Sequence, residues 1–325
     1  MKYVDVGGVR LSAIGLGCWQ FGSRDWGYGR DYGETTAVDL VQHALDAGVN
    51  LIDTAEVYAR GVSETIVGHA LEGRREEAFV ATKVLPIWPT ADNVEDHGRL
   101  STMRIRIATI DLYQVHWPNP LVRLSSTMEG MRRLQDGGLV RHVGVSNFPA
   151  TRWAAAERHL GRPVLSNQVQ FSLLHRRPDR HNLPYAQEND RIVIAYSPLA
   201  QGVLGGKYDA DHLPPGPARR QNPLCLPENL ERAAALIETL RRVAAAHDAT
   251  PAQVALAWLI HKPNVVAIPG ARTVDQLRHN VEAADLDLSD DEFAELTDQS
   301  DRFEPVGVRA TAVGLLKAQR RPVDA

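Results

Sequence analysis

Residues 110–147 read IDLYQVHWPNPLVRLSSTMEGMRRLQDGGLVRHVGVSN. A short apolar run, 110–115, is followed by a helical pattern over 126–137 and a second apolar run, 142–145. Both runs are nearly continuous in apolar character, as strands buried on both faces are. Strand, helix and strand in this order, with short connections, form the repeating unit of a parallel sheet.

The unit recurs in both directions. Upstream lie apolar runs at 13–16, 49–53 and 78–84; downstream lie 165–171, 191–196 and 265–268. Helical patterns fill the gaps at 33–48, 63–73, 149–161, 230–247 and 273–284. The first carries Ala37, Leu40, Val41, Ala44 and Leu45 at helical spacing and stops at Gly48. Thr273 with Asp275 suits a helix N-terminus. Eight strands alternating with helices, and no linker, predict the α/β class: a closed (β/α)8 TIM barrel forming one domain over 1–325.

An open doubly wound sheet is the alternative, but it would carry a phosphate-binding glycine fingerprint after its first strand. Gly15-Leu16-Gly17-Cys18-Trp19-Gln20 places Gln20 where a small residue belongs, so these glycines read as permitting a tight strand exit. Two stretches stand outside the repeat. Residues 201–226 are too rich in Gly and Pro for a helix and form a long loop after strand seven, on the face where barrel enzymes place their sites. The tail from Ser289 starts Ser-Asp-Asp-Glu, which predicts an extra C-terminal helix.

The chain has 325 residues, 36 Lys plus Arg against 40 Asp plus Glu, and a net charge of −4. That balance makes no electrostatic case for nucleic acid, and Arg74-Arg75 and Arg219-Arg220 read as solvated surface. No apolar run approaches a membrane span, and the start MKYVDVGGVRLSAIGLG is not a secretory signal, so a cytoplasmic protein is expected. Two cysteines, Cys18 and Cys225, fall short of a disulfide framework or a zinc cage; no metal is expected.

Polar residues interrupt the apolar runs at strand ends: Asp53 in IDTAEVY with Tyr58 five residues on, Lys83 in VATKV, and His116 in LYQVHWP. A buried lysine needs a carboxylate, and Asp53 on the adjacent strand is the candidate. A phenol is a weak acid near neutrality, and a nearby ammonium lowers its pKa. Asp53 would then hold Lys83, His116 would orient a carbonyl oxygen, and Tyr58 would protonate it. The group that attacks the carbonyl carbon is missing; a hydride-carrying cofactor would supply it.

The segments RLSAIGLGCWQFG, NLIDTAEVY, FVATKV, IDLYQVHWP, HVGVSNF, NQVQFSLL, IAYSPLAQGVLGGKY and IPGAR, taken together, resemble the aldo-keto reductases over nearly the whole chain, in a bacterial and channel-β-subunit-like branch. The resemblance implies an NADPH-dependent reductase acting on a small-molecule aldehyde or ketone, with Asp53, Tyr58, Lys83 and His116 catalytic. It further implies that Ser146, Asn147 and Gln168 hold the nicotinamide carboxamide and that Tyr196 stacks on the ring. Ser197, Leu199, Gln201 and Gly202 would meet the pyrophosphate, and Gly270, Arg272, Gln276 and Asn280 the adenosine 2′-phosphate and adenine. Preference for NADPH over NADH rests on Arg272, a guanidinium ahead of a helix N-terminus. Lys207 reads either as a pyrophosphate contact or as solvated. Trp19, Trp26, Tyr28, Trp88 and Trp117 are candidates for an apolar substrate mouth. The chain departs from the family at Arg106, where glycine is usual, and in the loop 22–33.

Two other readings stay open: an NADPH-binding regulatory subunit with slow turnover, and a barrel glycosidase using Asp53 and Glu56.

Overall fold

The computed structural model describes residues 1–306; the stretch 307–325, assigned above to the same domain, lies outside the described residues. The chain opens with an antiparallel hairpin, β1 (Tyr3–Val6) and β2 (Val9–Ser12), which the sequence reading did not foresee. Its turn, Gly7-Gly8, has φ of 60° and 78°, a conformation that needs glycine. Then come eight parallel strands: β3 (Leu16–Gly17), β4 (Leu51–Asp53), β5 (Phe79–Val84), β6 (Ile110–Val115), β7 (Val140–Ser146), β8 (Val164–Gln170), β9 (Ile192–Tyr196) and β10 (Val265–Ala267). They pair in sequence order.

The seam closes between the first and last strands. Gly15 donates its amide to Ala267 O at 2.8 Å, Ala267 donates to Ala13 O at 2.9 Å, and Gly17 donates to Pro269 O at 3.1 Å. A Cβ at Gly15 would lie 2.9 Å from Leu51 O, and one at Gly17 would lie 2.8 Å from Ile268 O. These glycines therefore let neighbouring backbones approach and close the barrel, a larger role than the tight exit inferred above.

The helices are α1 (Glu34–Asp46), α2 (Val62–Ala70), α3 (Ala91–Ile105), α4 (Leu124–Asp136), α5 (Ala150–Leu160), α6 (Arg177–His181), α7 (Leu183–Glu188), α8 (Pro217–Arg220), α9 (Pro227–Ala246), α10 (Pro251–Ile260), α11 (Val274–Glu282) and α12 (Asp290–Asp301). Four of these, α6, α7, α8 and α10, departed from the sequence reading. The short helices α6 and α7 were not foreseen, and neither was α10. Residues 254–259 are all buried, so α10 shows no amphipathic period. The stretch 201–226 contains α8, opened by Pro217. The terminal helix α12 does begin with a capping box, Ser289 with Glu292. Arg106 ends α3 with φ of 59°, the left-handed position that glycine fills without strain. Among the described residues no helix is long and apolar enough to cross a membrane.

Side chains alternate across each strand. Ile52, Val80 and Val143 face the outer helices, while Leu51, Ala81, Leu112, Ile194 and Val266 fill the barrel interior. Val6 and Leu11 of the hairpin join that interior cluster. Two residues further along each strand, on the same face, the apolar layer gives way to Asp53, Lys83, Gln114 and Tyr196. A polar layer thus sits on an apolar one at the C-terminal ends of the strands, where barrel enzymes carry their chemistry.

Candidate active site

Asp53 and Lys83 are 1% and 0% exposed. Lys83 Nζ donates to Asp53 Oδ1 at 2.6 Å, to Thr54 O at 2.8 Å and to Tyr58 Oη at 3.2 Å. All three ammonium protons therefore have partners. The other oxygen of Asp53 accepts from Gln168 Nε2 at 2.7 Å and from Gln114 Nε2 at 3.4 Å. Burial pushes the Asp53 carboxyl up, against the pull of Lys83, Gln168 and Gln114. For Lys83, burial alone would lower the pKa, but Asp53 and Tyr58 beside it raise it above its ordinary value, so it is an ammonium.

Tyr58 opens a turn running to Gly61 in which Ala59, Arg60 and Gly61 have φ of 48°, 57° and 90°. Desolvation pushes the phenol pKa up, Lys83 pulls it down and Asp53 pushes it up. The balance lies above the ordinary value. The lowering by Lys83 foreseen from sequence is present but outweighed, and the phenol stays protonated near neutrality. His116 follows β6 and is nine-tenths buried or more; its ring centroid is 5.7 Å from that of Tyr58. Burial, aided by the Lys83 charge, drops its pKa from 6.5 to about 2, so the imidazole is neutral. Its Nδ1 is buried without a hydrogen-bond partner. An orphaned polar atom of this kind calls for an explanation, and a polar ligand would provide one.

The remaining predicted residues fall around this centre. Ser146 Oγ donates to Gln168 O at 2.8 Å. Asn147, at φ 61°, donates through Nδ2 to His116 O at 3.2 Å and accepts the Tyr196 hydroxyl at Oδ1, 3.0 Å. Gln168 Nε2 is committed to Asp53, which leaves Oε1 as the atom for the expected carboxamide contact. After Tyr196 the backbone is left-handed at Ser197, Ala200, Gln201 and Gly202, with Leu199 between them. The side-chain oxygen Gln201 Oε1 is buried without a partner, the second orphan on this face. Lys207 is exposed and makes no ion pair among the described residues.

Arg272 sits just before Thr273, the N-cap of α11, whose hydroxyl accepts from Gln276 N. Gln276 Oε1 accepts from Arg272 N at 2.9 Å, and Asn280 Nδ2 donates to Gly270 O at 3.4 Å. The Arg272 guanidinium donates to Trp26 O at 3.4 Å and lies 3.7 Å from the Asp31 carboxylate. Arg219, read above as solvated, instead lies over the Trp26 ring at 5.3 Å and donates Nε to Gln201 O at 2.9 Å. The loop 201–226 is thereby fastened across to the loop after β3. Side-chain stacking of this sort leaves no signal in a single sequence.

The aromatic candidates do not form one wall. Trp117 stacks flat on His116 at 3.8 Å. Trp19 meets Trp26 edge-on at 5.2 Å, beside the Arg219 contact. Tyr28 packs edge-on against Tyr32 at 5.5 Å. Trp88 borders a cavity of about 260 Å³ with Val84, Leu85, Ile87, Pro89, Asn93 and His97. Glu56, the second carboxylate of the glycosidase reading, is bound to the Leu85 amide, to His97 Nδ1 and to Arg104, and Asp53 is bound to Lys83. Both carboxylates are already paired, which removes that reading. Cys18 and Cys225 are buried free thiols whose pKa is raised by desolvation, the second to about 11.

A family model described as "Aldo/keto reductase family" matches residues 13–301. An uncharacterized oxidoreductase of Mycobacterium tuberculosis is 52% identical over 307 residues, 94% of this chain and 95% of that protein. The structure of a glycerol dehydrogenase from Gluconobacter oxydans superposes with a TM-score of 0.84 at 30% identity, covering 94% of this chain and 97% of that one. An aldo-keto reductase from Klebsiella pneumoniae, in complex with NADP and acetate, superposes at 0.74 with 28% identity, covering 94% and 99%.

Proposed function

Because this chain belongs to the aldo/keto reductase family, we propose that it reduces the carbonyl group of a small-molecule aldehyde or ketone with NADPH, Tyr58 serving as general acid. The observation that carries the reading is Lys83 Nζ, 3.2 Å from Tyr58 Oη, with an unpartnered neutral imidazole alongside.

The residues present fit the cofactor bound by the Klebsiella relative. His116 Nδ1 is an orphaned polar atom on this face, and Arg272 stands at the N-terminus of a nine-residue helix, where an anion is favoured. Ser146, Asn147 and Gln168 would hold the nicotinamide amide, Tyr196 would lie against the ring, and Ser197, Leu199, Gln201 and Gly202 would meet the pyrophosphate. Gly270, Arg272, Gln276 and Asn280 would surround the 2′-phosphate and adenine. When bound, NADPH supplies the hydride that no side chain here can provide.

The chain's own residues handle the proton. Neutral His116 donates an N–H to the substrate oxygen and fixes its position. Tyr58 gives its phenolic proton to that oxygen, yielding the alcohol. The Lys83 ammonium stabilises the phenolate left behind, and Asp53, braced by Gln168 and Gln114, keeps Lys83 charged and in place.

The test is NADPH oxidation by the purified full chain against aryl aldehydes, sugar carbonyls and small dicarbonyls, with NADH in parallel. Carbonyl-dependent loss of NADPH absorbance is expected. Tight NADPH binding with no turnover on any compound would defeat the reading and favour the regulatory subunit.

A further inference from the structure

We propose that Arg104 is a positioning residue that holds the Tyr58 turn against the Lys83 strand by joining two carboxylates, Glu56 and Glu64, that flank Tyr58 in sequence. The inference rests on the role given to Tyr58 above and adds a residue from outside the site.

The turn and the strand are tied on both sides of the reacting pair. Glu56, two residues before Tyr58, accepts the backbone amide of Leu85, two residues after Lys83. Glu64, six residues after Tyr58, accepts the hydroxyl of Thr82, one residue before Lys83, at 2.6 Å. Arg104, near the end of α3, spans the two carboxylates: Nε reaches Glu64 Oε2 at 2.5 Å and Nη2 lies 3.5 Å from Glu56 Oε2. His97 Nδ1 shares Glu56 Oε2 at 2.7 Å, and Ser101 Oγ takes a further Arg104 bond at 3.2 Å.

Glu64 is fully buried, so its charge requires a cation, and Arg104 is the cation it has. The arginine also presses on the turn itself. Its Cδ lies 2.6 Å from where a Cβ on Gly61 would be, at the third of three successive left-handed residues. Such a backbone is costly and persists only when its surroundings over-determine it. A planar fork suits this task because it serves two acceptors at once; an ammonium serves them as a point charge.

Charge can be removed without leaving Glu64 unpaired by making Arg104→Met together with Glu64→Gln. In the full chain this variant should keep its NADPH affinity, read by nicotinamide fluorescence, while kcat falls by about 10- to 100-fold, the scale of a small misplacement of reacting groups. The alkaline limb of the kcat profile should also move to higher pH. The groups facing Tyr58 are Lys83 from β5, Asp53 from β4, His116 beyond β6 and Tyr196 from β9, and of these Lys83 favours the phenolate. Loosening its 3.2 Å contact removes that effect, and general loss of stability would not move the limb. Arg75→Met at Asp111 is the control, an ion pair of similar exposure at the opposite rim (22% against 27% for Arg104); its kcat and pH profile should match the parent. Arg104→Lys should fall between parent and double variant.

The proposal is overturned if kcat stays within about twofold with an unmoved limb, if the Arg75 control loses as much, or if neither Arg104 variant folds, since the clamp would then be a general support. Tyr58→Phe separates the two readings. If it is inactive while the Arg104 variants are normal, only the clamp fails; if it turns over, the assignment of Tyr58 fails as well.

Discussion

Asp53 and Asp111 lie on β4 and β6 of one barrel, each 1% exposed, and their partners differ in kind. Asp111, at the N-terminal rim, accepts from Arg75 at 2.6 Å, Arg141 at 2.7 Å and the Val80 amide at 2.8 Å. Both guanidinium groups reach back to the barrel from the solvent side, and the network ends there. Asp53, at the C-terminal rim, binds a lysine whose third proton points to a phenol, beside an imidazole with no partner. A buried carboxylate therefore does not mark a site. What sets the Asp53 pair apart is that its lysine leads on to a titratable phenol, with an unsatisfied imidazole nitrogen in the neighbouring ring.

The largest test of that contrast is Tyr58→Phe. Deleting one oxygen at the C-terminal rim should cut turnover by about 10²–10⁴-fold, with NADPH still bound. Next, Asp111→Asn at the opposite rim should leave kcat of the folded enzyme unchanged while costing about 1–3 kcal/mol in chemical unfolding, because it weakens three charge-assisted hydrogen bonds to a buried carboxylate. A large loss of kcat there would erase the distinction between the rims.

A smaller effect is the response to acid. The His116 pKa falls from 6.5 unfolded to about 2 folded. Only the unfolded chain takes up this proton between those values, so its contribution to stability is intact above about 6.5 and is lost as pH falls. The slope is about 1.4 kcal/mol per pH unit. His116→Gln should make unfolding free energy less steep between pH 6.5 and 5 by that amount; parallel slopes would show an imidazole that charges freely. The smallest concerns the end of the site proposed for the cofactor. Asp31 stands 3.7 Å from Arg272, where a 2′-phosphate would compete with it. Asp31→Asn should tighten NADPH relative to NADH by about two- to fivefold, the scale of an exposed ion pair.

Most of the centre was legible in the chain. Asp53, Tyr58, Lys83 and His116 break apolar runs, and three of them sit at strand ends that the barrel brings together. The period of two along each strand already places Asp53 above Leu51 and Lys83 above Ala81. What escaped was carried by contacts between segments distant in sequence. Arg219 reads as one of two surface arginines until Trp26 lies beneath it. Gln168 reads as a cofactor ligand alone, and the fold shows that its amide nitrogen also braces Asp53. Glu56 reads as half of a carboxylate pair until Leu85, His97 and Arg104 take it. The buried helix α10 has no polar face to reveal it, and the hairpin rests on two glycines whose turn gains meaning only under the barrel floor.

Local order dictated the architecture here: strand and helix periods and capping signals depend on neighbours a few residues apart, so the bare chain determines them. The state of the site depended on the fold. Whether a phenol keeps its proton, whether an imidazole is charged, and which carboxylate holds which cation follow from desolvation and from distances of a few ångströms between residues tens of positions apart, and those exist only once the barrel has closed.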